Sequence, residues 1–154
     1  MSVTEVDAGP HIVARATDVH APAAELFDIL ADPRRHGELD GSGTVGSTTK
    51  GPDRLSKDAK FSVNMKQYGL PYRITSKVTD FEAARVLEWR HPMGHRWRLE
   101  LTPLSPDSTH VVESFDYTRV PGIQAKFYEV TGQAKRNATG IEATLTRLGE
   151  RYPR

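Results

Sequence analysis

Cysteine is absent from the 154-residue chain, which excludes a disulfide framework, a thiolate zinc site, an iron–sulfur cluster and a cysteine nucleophile. An excess of one charge is lacking too: 21 Lys+Arg against 20 Asp+Glu leave a formal +1. A nucleic-acid binder shows a clear basic excess, so no nucleic-acid partner is expected. Nowhere do about 18 apolar residues follow one another, so no integral membrane segment is expected. The first ten residues carry Glu5 and Asp7 and no apolar run, unlike a signal peptide or a lipidation site. These absences predict a cytoplasmic protein of one domain over 1–154; the residues leave monomer and homodimer both open. At that length folding buries roughly 70% of the unfolded surface without a staple.

What is present is a change of hydrophobic period along the chain. His11 to His20 alternates as a strand. Ala21-Pro22 opens a helix whose stripe is Ala23, Leu26, Phe27 and Leu30, and Asp32-Pro33 closes it. A second short helical turn is expected over Arg34 to Leu39, and a loop with one short strand over Asp40 to Lys57. Strands then follow in series: Phe61, Val63 and Met65 on one face, a turn at Gly69-Leu70-Pro71, Tyr72 to Thr79, a connection over Asp80 to Arg85, and Val86 to His91.

The Pro92-Met93-Gly94 turn fixes a register twice over. Centred on Met93, it sets Trp89 opposite Trp97 and Leu87 opposite Leu99 on one face. On the other it sets Glu88 opposite Arg98, a favourable cross-strand pair. A one-residue slip breaks both. Thr109 to Arg119 is the last strand, with Val111, Glu113, Phe115 and Tyr117 sharing a face. From Ile123 a helical period runs through Phe127, Val130, Ala134, Ala138, Ile141, Leu145, Leu148 and Tyr152, with weak points at Gly132 and Gly140. A curved antiparallel sheet must cover its apolar face, and this helix is the one element long enough to do so. A long helix across a curved sheet cannot touch it everywhere, so a cavity between them is expected.

The chain resembles the START-like helix-grip superfamily (SRPBCC), in its polyketide cyclase/dehydrase and lipid-transport branch. The residues that carry the resemblance are Ala21-Pro22-Ala23-Ala24-Glu25-Leu26-Phe27 with Leu30-Ala31-Asp32-Pro33, Asp40-Gly41-Ser42-Gly43, Gly51-Pro52, Phe81-Glu82, Leu87-Glu88-Trp89 and Val112-Glu113-Ser114-Phe115-Asp116-Tyr117. It implies an α+β helix-grip fold: a strongly curved antiparallel sheet of six to seven strands wrapped around a long C-terminal helix, with two short helices after the first strand. It also implies a cavity that binds a small hydrophobic ligand, lipid or polyketide-like. In some members of that superfamily the cavity cyclises aromatic polyketides. A fold shared this widely leaves the activity open.

Candidate site residues come from the inner face. Met65, Trp89, Trp97, Phe115, Phe127 and Ile141 are expected as the apolar wall; the two tryptophans serve core packing, a ligand wall, or both. Glu113 sits between Val111 and Phe115, where a carboxylate is costly unless paired or protonated. Either it reaches solvent or an arginine, or it is the polar anchor of the cavity, with a pKa raised by burial that suits acid/base work. Glu113 and Tyr117 are then the best pair for cyclase or dehydratase chemistry, and Tyr68, Tyr72 and Gln67 can add polar contacts. A partner-binding module without a ligand is a third reading.

Other motifs carry less. Gly41-Ser42-Gly43-Thr44-Val45-Gly46 matches G-x-G-x-x-G literally but lacks the strand before and helix after that a dinucleotide site needs. His91 and His95 flank a turn, where their spacing does not align two metal ligands as it does on a helix. His11, His20, His36 and His110 show no ligand spacing and read as surface residues. No metal and no cofactor are expected. Mixed charges on the last helix, among them Lys126, Glu129, Lys135, Glu142 and Arg147, read as a solvated face.

Overall fold

The structure is a computed structural model that describes residues 3–40, 45–67 and 69–154. Eight strands form one antiparallel sheet in the order β1-β2-β8-β7-β6-β5-β4-β3. They are β1 (Thr4–Val6), β2 (Ile12–Val19), β3 (Val45–Lys50), β4 (Lys60–Gln67), β5 (Leu70–Glu82), β6 (Val86–Arg90), β7 (Arg96–Ser105) and β8 (Ser108–Asp116). Two short helices, α1 (Ala23–Leu30) and α2 (His36–Leu39), follow β2, and α3 (Gly122–Val130) and α4 (Gln133–Arg151) follow β8. This is the helix-grip arrangement, with β1 as a short extra edge strand paired to β2 through Thr4 and Ala16.

Alternation decides which residues face the helix. Successive residues of a strand point to opposite faces and paired residues share one. Trp89 pairs with Trp97, Leu87 with Leu99 and Glu88 with Arg98, the register that the turn dictates. Gly94, at φ +105, closes that turn by donating its N–H to the His91 carbonyl at 2.8 Å. The next rows run Trp97 to Phe115 and Leu99 to Glu113. From there they continue to Val13 and Arg15 on β2. The outer face of β5–β7 holds a charged net. Arg96 and Arg98 each reach Glu88 at 3.0 Å, and Thr79 donates to it at 2.9 Å. Burial alone would raise the Glu88 pKa, but the bonds from Arg96, Thr79 and Arg98 outweigh it and hold the group below its ordinary value.

Three local expectations are corrected. The segment from Asp80 is not wholly a connection: β5 continues to Glu82, and the turn is confined to the next three residues, with Ala84 at φ +62. The C-terminal helix is broken at Gly132, whose φ of +77 no helix interior accepts, and runs unbroken through Gly140. The break resets the helical phase. Upstream of it α3 buries Ala125 and Tyr128, whereas Ile123, Phe127 and Val130 are 85%, 60% and 75% exposed. Downstream, Ala134, Ala138, Ile141, Leu145 and Leu148 are buried against the sheet as the period predicts. Leu26, Phe27, Leu55 and Val78 complete the core at the α1 side.

Candidate ligand cavity

Between the concave sheet and α4 lies an open cavity of about 180 Å³, comparable to the roughly 150 Å³ that accommodates benzene in an engineered core. It exists because α4 turns a thinned face to the sheet. Asn137, Gly140, Ile141 and Thr144 lie on one helical side and line the space, where bulkier apolar groups would fill it. The sheet supplies Phe61, Val63 and Met65 from β4, Ile74 and Ser76 from β5, Trp89 from β6, Trp97 and Leu99 from β7 and Glu113 from β8. Leu30, His36, Leu39 and Asp40 close the α1–α2 side. Of the expected wall, Met65, Trp89, Trp97 and Ile141 line it, as does the expected anchor Glu113.

Phe115 and Phe127 do not. Phe115 is fully buried behind Trp97, ring centroids 5.1 Å apart, so it supports the wall without forming it. Phe127 lies on the exposed face of α3, a consequence of the phase reset. Tyr117 also lies elsewhere: its hydroxyl donates to Glu129 on α3 at 3.3 Å, and its ring packs on His11 and Tyr128. Burial and then the Glu129 charge raise its pKa. The proposed Glu113–Tyr117 pair is therefore not assembled. Tyr72 is 39% exposed and is not among the lining residues. Tyr68 and the side chain of Gln67 lie outside the described residues.

Glu113 is buried, and its Oε1 has no hydrogen-bond partner among the described residues. The arginine that the register sets beside it is Arg15. That side chain turns instead to Glu142 on α4, at 2.8 Å, and to the Ala14 carbonyl. Deprived of a cation, the carboxyl is pushed up to about 8 by burial, with the nearby Asp40 charge adding to the effect. At neutral pH it is mostly protonated, an O–H donor facing an apolar space.

Two histidines belong to this wall. His36, expected at the surface, holds the Leu30 carbonyl through Nε2 at 2.7 Å and stacks on Trp89, centroids 5.2 Å apart. Burial lowers its pKa. His91 lines the opposite end, stacked on His95 with centroids 4.2 Å apart. Stacked faces, with His91 Nδ1 taken by the Met93 N–H and His95 Nδ1 by Tyr128, do not converge on a metal. The G-x-G-x-x-G stretch gives no nucleotide site either. Its residues 41–44 lie outside the described residues, and strand β3 succeeds them at the place where the fingerprint requires a helix.

Comparison with known proteins agrees with this geometry. Residues 10–152 match the family described as polyketide cyclase/dehydrase and lipid transport. An uncharacterized protein of Mycobacterium tuberculosis, Rv0088, is 58% identical over all of this chain, which spans 70% of that protein. Among solved structures, a protein of Rhodobacter sphaeroides superposes with a TM-score of 0.73 at 16% identity, covering 97% of each chain. The Zhui aromatase/cyclase of a Streptomyces species superposes at 0.64, also at 16% identity, covering 91% of this chain and 95% of the other. No helix among the described residues is long and apolar enough to cross a membrane. With the sheet wrapped on α4, the cavity between them and a family match over nearly its whole length, the chain belongs to the polyketide cyclase/dehydrase and lipid-transport family of the START-like superfamily.

Proposed function

We propose that the protein binds a small hydrophobic or aromatic molecule in the cavity between sheet and α4, with Glu113 as its polar anchor. The observation that carries this reading is the buried Glu113 carboxyl, with an oxygen unpartnered among the described residues, on a largely apolar wall. An unsatisfied buried polar group costs about 1–3 kcal/mol, and a ligand carbonyl or hydroxyl that accepts its proton recovers that cost. Trp89, Trp97 and Phe61 supply ring faces for a flat molecule. With no cysteine to oxidise, the chain needs no oxidising compartment, and we take it to act in the cytoplasm.

The test uses the chain's two tryptophans, both of which line the cavity. A bound ring compound should change their fluorescence and raise the melting temperature across a panel of lipids, sterols, flavonoids and polyketides. Native mass spectrometry of protein purified from its own host should show a non-covalent adduct. A protein with no adduct, no fluorescence change and no thermal shift would overturn the reading.

A second reading is favoured by one observation, the burial of Glu113 at the cavity with Arg15 turned away to Glu142, which raises its pKa. A carboxylic acid poised near neutrality can protonate a departing hydroxyl and, once ionised, take up the proton next to a ketone, so that water leaves and a double bond forms. With Tyr117 committed to Glu129, Glu113 would do this without the phenol. Glu113→Gln separates the readings: a dehydratase loses turnover and keeps its ligand, whereas a carrier changes affinity alone.

A further inference from the structure

Hydrogen bonds at the hairpin end of the cavity fix the proton of His91. The Gln124 amide donates to the Met93 carbonyl at 2.9 Å and to the Tyr128 hydroxyl at 2.7 Å. The same hydroxyl bonds His95 Nδ1 at 2.9 Å, which holds the His95 ring in place. Alongside, the backbone N–H of Met93 donates to His91 Nδ1 at 3.1 Å. In the neutral His91 ring the proton must then sit on Nε2. His91 is pinned by the turn at one nitrogen and by the His95 face on one side. It lines the cavity, and its Nε2 has no hydrogen-bond partner among the described residues.

We propose that His91 is a second specificity-determining residue: an Nε2–H donor at the hairpin end which, with the Glu113 carboxyl, selects a two-ring compound without an anionic group and with a hydrogen-bond acceptor at each end. This rests on the reading of the cavity as a ligand site. The separation fits. Glu113 shares its row with Leu99 and Leu87, and His91 lies four residues beyond Leu87. Two strand spacings across and four residues along place the two Cα atoms about 16 Å apart on a flat sheet, and curvature shortens this. That span exceeds a single ring, and because the cavity is open a two-ring compound can reach both ends with one edge toward solvent. No Lys or Arg is among the described lining residues, so an anionic group would find no countercharge. Burial keeps His91 neutral, with a pKa near 4, so it offers a donor without a charge.

The experiment is calorimetric titration of the intact chain with naphthalene, 2-acetylnaphthalene and 2,6-diacetylnaphthalene, with 2-naphthoic acid as the anionic control. Each added acetyl group should tighten binding about three- to tenfold, and the anionic probe should bind more weakly than the monoacetyl compound. His91→Phe keeps the ring stack and removes the donor, so it should erase the gain from the second acetyl and leave that from the first. Glu113→Leu should erase one gain and leave the other, and His91→Gln, which restores a donor, should recover much of the loss. Because each gain is measured against naphthalene in the same variant, a general loosening of the fold does not imitate the result. Nitrogen-15 shifts of labelled histidines should show the Nε2–H form of His91. A diacetyl compound no tighter than the monoacetyl, a His91→Phe variant that keeps both gains, tighter binding of the anionic probe, or an Nδ1–H tautomer would overturn the assignment while leaving the cavity reading intact. Failure of all four probes to bind would overturn both.

Discussion

Glu113→Gln is expected to stabilise the folded protein at neutral pH, by an amount that grows with pH. The carboxyl has an ordinary pKa of 4.5 when the chain is unfolded and about 8 when folded. Below 4.5 both states hold the proton and no penalty exists. Between the two values the unfolded chain ionises and the folded one does not, so the unfolded state binds fewer protons and stability falls as pH rises. Each pH unit in that window costs about 1.4 kcal/mol, so wild type at pH 7 has forfeited roughly 3 kcal/mol relative to acid conditions. Above about 8 the loss is complete and the curve is flat again. Glutamine cannot ionise, so the variant escapes the penalty; its amide keeps the volume and a donor. Urea unfolding of both proteins from pH 4 to 9 measures the difference. The other groups titrate in both chains and cancel to first order. The two stabilities should lie closest near pH 4 and separate by about 3 kcal/mol at pH 7, which corresponds to about 6–12 °C in melting temperature for a chain of this size. Parallel curves would refute the argument, because they would mean that Glu113 ionises in the folded protein as it does in water.

Glu88 behaves oppositely: it is buried between Arg96 and Arg98, so Glu88→Ala should cost about 1–3 kcal/mol by removing the carboxylate from Arg96, while Arg98 keeps Asp80 and Glu100, read as a lower urea midpoint. Gly132→Ala should destabilise by about 1 kcal/mol because its φ of +77 disfavours a Cβ. Gly149→Ala, in the last turns of α4 where a Cβ meets nothing within 4 Å, should stabilise by about 0.5–1 kcal/mol. On α3, Phe127→Ser should leave the melting temperature nearly unchanged, whereas Tyr128→Phe should lower stability by about 1–2 kcal/mol through the lost bonds to Gln124 and His95. His91 and His95 have folded pKa values near 4 and 3, depressed by burial. Their contribution is present above their ordinary 6.5 and is lost as pH falls toward the folded values, so His95→Phe should flatten the acid limb of a stability–pH curve.

The parts of this molecule that depend on near neighbours were legible in its residues. The Trp89–Trp97 and Glu88–Arg98 pairs share one short turn, so two independent preferences fixed one register. The alternation of Val111, Glu113 and Phe115 placed the acid on the inner face. What was not legible depends on packing between distant segments. Whether Arg15 neutralises Glu113 or reaches over to Glu142 is decided by the position of α4, which no local pattern encodes. The helical stripe through Ile123, Phe127 and Val130 has the right spacing, yet the backbone reversal at Gly132 rotates it outward. His36 had no pairing signal at all, because its partners are a helix-end carbonyl six residues back and a ring from β6. One signal for the cavity does lie in the residues: Asn137, Gly140 and Thr144 interrupt an apolar helix stripe with small and polar groups on the side that faces it.

The strand order has a consequence for how the site comes into being. Seven pairings build the sheet, and six of them join strands consecutive in the chain. The exception is β2 with β8, a seam tied at one end by Thr109 to the Ala21 carbonyl, 88 residues away. Closing a loop of that length costs about 3 kcal/mol more chain entropy than closing a tight hairpin. Pairings of such span slow the folding of a domain, because the loop entropy is lost before the contacts form. Glu113 lies on β8, on that seam. The buried acid is thus created by the same step that joins the two ends of the chain, and a chain shortened past β2 would bare the whole edge of β8 to other molecules.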